Sequence, residues 1–428
     1  MNNTMTRLTL GQGIALTCMT TEKFKSSCMS ATLSLPLAFA PAAPVAMLPG
    51  LLRRGTARYP TMQQLSARLD ELYSARIEPV VRKVGETLSV GFLSDVIDSC
   101  YAAQGEDLVL ETAALLGELI TDPYLDGDSF CPDYFASEKK NHQDLIAGRI
   151  NDKRLYAVYR LYSLMCQGEA FGLSELGESE QLEGLTPGAL TGLYRSLLKS
   201  APIELFYCGS QPAERVAQAF TQAFGQLSRE NILSVGTVAK ARPDGPVRQF
   251  VDEMQVGQGK LAMGARTGIT GGDAEYPALM LFNAVFGGGT SSKLFNHVRE
   301  ELSLCYYASS VVEKTKGILT ISSGIETEKK EQVEQEILRQ WEDIRQGRVT
   351  EEELSCARRT VVGSLRAMAD SPLLLERYWN SQAIAGQTTS PEELIDRVER
   401  VTKEQVVAAA CRAQLDAVYF LKGVAKND

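Results

Sequence analysis

The apolar and polar positions of this chain trace one order of elements that occurs twice. In the first half, LLRRGT (51–56) leads into a helical pattern from Thr61 to Tyr73, opened by Thr61 with Gln64 three positions on. Two strand-like runs follow, RIEPVVRKV (76–84) and TLSVGFL (87–93). In the second half, VFGGGT (285–290) leads into a helical pattern from Ser291 to about Leu302. Again two strand-like runs come next, at 304–312 and 317–325.

The parallel continues along both halves. A helix over 106–120 answers a charged, amphipathic one over 328–345, and a long helical region at 137–166 answers 351–369. Thr350 and Glu353 form a capping box at the start of the latter. Last, 185–209 answers 401–423, each a Thr-capped helix, a short break and an apolar strand. A linker near 226–248 contains ARPDGPV. Strand pairs followed by runs of helices, the whole set repeated, predict an α+β protein. It has two homologous domains, each a mostly antiparallel sheet with helices packed on one face. The boundaries expected are 1–228 and 229–428, which suits the length of 428 residues.

Composition narrows the function classes. With 44% hydrophobic and 23% charged residues, the chain has the means to bury cores and is not disordered. Net charge is −9 with both signs intermixed and no basic block, which argues against a nucleic-acid partner. The nine cysteines are odd in number, irregularly spaced and without a CxxC, so a reducing compartment is expected, with no thiolate metal site. The N-terminus has no unbroken apolar run before a small-residue cleavage site and reads as mature protein. The most apolar stretch, 31–52, carries Pro36, Pro41, Pro44 and Pro49, too many prolines for a spanning helix. A cytoplasmic protein with no membrane partner is expected.

Histidine is the limiting resource for chemistry. Only His142 and His297 exist, so neither HExxH nor HxxEH can be written, and no GxSxG elbow or Walker A motif is present. His142, in the charged stretch EKKNHQD, is expected at the surface. A cysteine hydrolase has no recognisable nucleophile context. Gly287, Gly288 and Gly289 before Thr290 and Ser291 have two readings: an anion site at a helix start, or a tight turn with a hydroxyl cap. Arg299 near a helix end and Tyr306 at the next strand's start also have two. They either converge as donors on a carbonyl, or serve as a dipole-compensating Arg and a packed sheet Tyr.

The stretch FGGGTSSKLFNHVREELSLCYYASSV is similar to the second-domain signature of the insulinase-like, or pitrilysin-type, M16 peptidases (M16B-type). There a glycine turn leads into "LF..VRE" and then a "GLxY"-like strand. The resemblance covers nearly the whole chain and implies the duplicated LuxS/MPP-like metallohydrolase-type fold. It also implies where a zinc motif should stand. Ala46, Pro49 and Gly50 take the places of the first His, the Glu and the second His before the GT turn. Counting seven residues from Glu138 puts Leu145 at the distal ligand position. No zinc is therefore expected in this chain. Arg299 and Tyr306 match the family's Arg/Tyr pair. The resemblance thus implies a non-catalytic subunit of a heteromeric peptidase, with zinc and catalysis in a homologous partner and a peptide or unfolded protein as substrate. The likeness extends to a bacterial subgroup associated with aminopentanol modification of elongation factor P. A binding or scaffold protein with no part in hydrolysis is the competing expectation.

Overall fold

A computed structural model of the chain describes residues 4–424. They fall into two compact units, neither of them continuous in sequence.

The first unit comprises 4–148, 173–236 and 371–388. Its sheet is ordered β1-β2-β8-β3-β5-β4, from Thr4–Gly11 (β1), Ile14–Thr20 (β2), Ser26–Pro36 (β3), Arg76–Val84 (β4), Thr87–Ile97 (β5) and Ile203–Gly209 (β8). All neighbours are antiparallel except β2 and β8. Alternation along β3 shows how the faces divide. Met29, Ala31, Leu33 and Leu35 join the main core, which also takes side chains from helices α1 (Ala42–Leu52), α3 (Leu108–Thr121), α6 (Pro187–Ser200) and α7 (Ala213–Phe224). Helix α2 (Met62–Glu71) adds Leu65 and Leu69, and α4 (Pro132–Gly148) adds Phe135 and Ile146. A two-residue ladder, β6 (Leu125–Asp126) with β7 (Ser129–Phe130), stands before α4.

The intervening residues of β3 are polar and face α11 (Pro372–Ile384), a helix drawn from the far half of the chain. Ser30 Oγ donates to Glu376 Oε1 at 2.9 Å, and Asn380 Nδ2 to Thr32 Oγ1 at 3.2 Å. Arg82 Nη1 meets Glu376 Oε2 at 2.6 Å, with the glutamate wholly buried.

The second unit comprises 149–172, 237–370 and 389–424. Its sheet is ordered β11-β12-β10-β13-β9, from Arg248–Met254 (β9), Gly259–Arg266 (β10), Cys305–Glu313 (β11), Ile318–Ile325 (β12) and Gln414–Gly423 (β13). Only β13 and β9 run parallel. Leu261, Met263, Ile321 and Val418 from the sheet share a core with helices α8 (Tyr276–Phe286), α9 (Lys330–Arg345), α10 (Glu351–Met368), α12 (Pro391–Glu399) and α13 (Lys403–Arg412). Phe282 and Phe286 stack at 5.6 Å within it, against Trp341.

The other face again takes a helix from the far half, α5 (Lys153–Met165). Ala157, Leu161 and Met165 pack on Ala262, Ala417 and Tyr419. Gly264 leaves open the space that the Met165 sulfur fills. A buried charge cluster fastens the same segment. Arg266 donates to Asp416 at 2.7 Å and to Glu169 at 2.6 Å, and Lys316 Nζ lies 2.7 Å from the other Glu169 oxygen.

The fold is the expected α+β duplication, with both capping boxes formed at Thr61 and Thr350. The region 137–166 is two helices, not one. Helix α4 ends at Gly148, and the Asp152 carboxylate accepts the Arg154 and Leu155 amides to open α5. Residues 225–247 carry no regular element. Among the described residues, no helix is long and apolar enough to cross a membrane.

Candidate functional site

The position expected for a metal motif lies on α1, whose residues are nearly all buried. Ala46 is buried and Pro49 stands inside the helix, so neither offers a donor to a cation. Gly50 faces α4. A Cβ there would come within 2.7 Å of Glu138 Oε2. The Glu138 carboxylate at this place is already engaged: Arg54 Nε donates to Oε1 at 2.6 Å, and Asn141 Nδ2 to the same atom at 3.1 Å. Arg54 also donates to Ser137 Oγ at 2.9 Å. Leu145, two turns along α4 from Glu138, is exposed. Apolar side chains, a glycine and a carboxylate bound to a guanidinium make no donor set for zinc. Among the described residues, no group of three or more His, Cys, Asp or Glu is placed to hold a metal ion.

His142 corrects one expectation. It is buried, because it lies on the inward face of α4, and its ring Nε2 donates to the Leu176 carbonyl at 2.8 Å. The surrounding charges occupy the other faces of the helix. His297 takes the role of a satisfied surface imidazole, with Nδ1 2.7 Å from Glu301 Oε2 one turn away.

The second group of candidates sits on the segment after α8. Gly287 ends that helix, and a Cβ on it would meet Ser310 Oγ at 2.6 Å and Ser310 N at 2.7 Å. Ser310 N donates to the Gly287 carbonyl at 2.9 Å, so the glycine cluster is a tight turn set by close backbone approach. Residues Leu294–Glu301 then form a π-helix, anchored by buried Leu294 and Val298. The Leu302 amide reaches back five residues to the His297 carbonyl, and Ser303 at φ 50° turns the chain into β11. Such π segments recur at functional sites.

Arg299 projects from this segment with 43% of its side chain exposed, and its guanidinium lies over the Phe295 ring at 4.8 Å. Tyr306 occupies a β-bulge: Cys305 pairs with Ile325 and Tyr307 with Gly324, leaving Tyr306 as the extra residue. A bulge re-aims a side chain. Tyr307 is held by Ser322 at 3.3 Å and by Arg154 over its ring at 4.4 Å, whereas the Tyr306 side chain is 54% exposed. No hydrogen bond joins Arg299 and Tyr306 among the described residues. Both nevertheless border Cys305. Burial pushes that thiol's pKa up, while a hydrogen bond from Ser323 and the nearby Arg299 charge pull the other way. β11 is an edge strand, so Tyr306 stands where an extended chain would add to the sheet.

Sequence reading missed the partners of Glu138. Arg54, in LLRRGT, lies two residues past the end of α1, where no helical spacing from Gly50 points to it.

These features define a duplicated α+β protein of the metallohydrolase type in which Arg54 and Glu138 form an ion pair beside α1. The family model "Peptidase M16 inactive domain" matches residues 184–361. The "Probable inactive metalloprotease YmfF" of Bacillus subtilis (strain 168) is 32% identical over 413 residues, covering 96% of both chains. A conserved protein from Enterococcus faecalis V583 superposes with TM-score 0.90 at 26% identity, over 99% of this chain and 100% of that one. A peptidase M16 inactive domain from Pseudomonas fluorescens superposes with TM-score 0.81 at 16% identity, over 99% and 100%. The chain belongs to the peptidase M16 family.

Proposed function

We propose that this chain is the zinc-less subunit of a heteromeric M16-type metallopeptidase. It supplies substrate-binding and carbonyl-contacting groups, while a homologous partner carries the metal. The observation that supports this reading most is the pairing of Glu138 with Arg54 at the degenerate motif, in a chain whose Arg299 and Tyr306 side chains stay open to solvent. A guanidinium and a phenol are both hydrogen-bond donors suited to a peptide carbonyl and to the oxyanion that develops from it. Edge strand β11 offers the backbone groups to hold an extended peptide or unfolded segment beside them.

The test is purification of this chain alone and together with a zinc-bearing M16 homologue from the same cell, with bound zinc and peptide cleavage measured for each. Cleavage by the pair and not by either chain alone is the expected result. Chelator-sensitive cleavage by the isolated chain would overturn it, and a stable pair that cleaves no peptide would assign a scaffold role instead. We further propose that the chain takes part in aminopentanol modification of elongation factor P. Deletion of the gene should then alter the modified fraction of that factor, read by intact-mass spectrometry.

A further inference from the structure

A cavity of about 410 Å³ opens in the second unit between the first turn of α8, the end of α12 and α13. Neither Arg299 nor Tyr306 lines it, so the cavity is independent of the role proposed for that pair. Its floor is apolar, from Ile269, Pro277, Val401 and Ala409. Three guanidinium groups border it. Arg397 gives one donor to the Asp273 carbonyl at 2.9 Å, and Arg412 gives donors to Glu275 Oε1 and to the Gly268 carbonyl, each at 2.9 Å. Arg400 is exposed, and its side chain makes no hydrogen bond or ion pair among the described residues. Three cations against one carboxylate leave the cavity in need of an anion.

The remaining polar groups narrow the anion's class. Glu275 uses one oxygen on Arg412 and keeps the other as an acceptor. Gln405 spends its oxygen on the Thr402 amide and keeps its NH₂ as a donor. An acceptor and a donor beside a cationic rim suit a peptide end, which carries an N–H and a C=O next to its carboxylate. A fatty acid has neither and would desolvate both groups without recompense. We propose that this cavity binds the free C-terminal carboxylate of a peptide ending in an apolar residue. The carboxylate sits on Arg400 and Arg397, and the terminal side chain on the floor.

The experiment uses the full chain and calorimetric titration with an N-acetylated tetrapeptide ending in Leu-Leu. Its C-terminal amide and octanoate serve as the other arms. The acid should bind, with the amide and octanoate weaker by about tenfold or more, the difference one charge-assisted contact makes. Arg400→Ala should weaken the acid by a similar factor. Ala408→Phe, at an exposed lining position, should fill the cavity and remove binding without shifting the thermal unfolding midpoint. Equal affinity for acid and amide, octanoate as tight as the peptide, no acid binding at millimolar concentration, or an indifferent Arg400→Ala variant would each overturn the assignment.

Discussion

The Arg54 guanidinium holds the Glu138 carboxylate against Gly50, where a side chain at position 50 would collide with it. Both side chains are mostly buried. Replacing Arg54 with Ala would leave a part-buried carboxylate without its strongest donor, and should cost about 1–3 kcal/mol, read as a lower urea midpoint with unchanged slope. The dialysed wild-type chain should carry no stoichiometric zinc by atomic emission.

Arg299 and Tyr306 are exposed and take no part in either core, so their removal should spare folding. In the complex with a zinc-bearing homologue, Arg299→Ala should reduce peptide cleavage by about 10²–10³, the usual consequence of losing one oxyanion donor. Tyr306→Phe, which deletes only the hydroxyl, should follow in the same direction. Complex formation by gel filtration should be unchanged for both, and full cleavage activity in either would remove the role assigned to it.

Glu376 anchors α11 on the polar face of the first sheet, accepting from Ser30 and Arg82. Glu376→Ala would strand Arg82 beneath the helix, at a cost of about 3–5 kcal/mol for breaking one side of a buried pair. Amide exchange should rise first over 371–388, ahead of the β3 and β5 strands.

Glu169 gives the stability a pH dependence. Burial raises its pKa, but hydrogen bonds and charge from Arg266 and Lys316 outweigh that and leave it below the usual carboxylate range. A depressed folded pKa means stability that is present above the unfolded value of about 4.3 and lost as pH falls through the folded value. Glu169→Gln should therefore destabilise the protein at neutral pH and flatten the acid limb of its urea-unfolding profile below about pH 5.

The sequence by itself determined the elements and their repetition. Period and caps are local properties, which is why Thr61 and Thr350 box their helices as read and why 76–84 and 318–325 are strands. The separation of its two histidines, His142 and His297, likewise means that no HxxEH motif can be written. What the sequence could not decide was which surface each helix covers. The apolar stripe of α5 says only that Ala157, Leu161 and Met165 are buried; their partners Ala262 and Tyr419 are about a hundred or more positions away and in the other half of the repeat. The same holds for α11 on β3, for His142 turned inward to Leu176, and for the bulge that frees Tyr306 from its ladder. Each depends on strand register and on packing between distant segments, and those are set by the whole chain's search for burial and hydrogen-bond partners, not by any window of it.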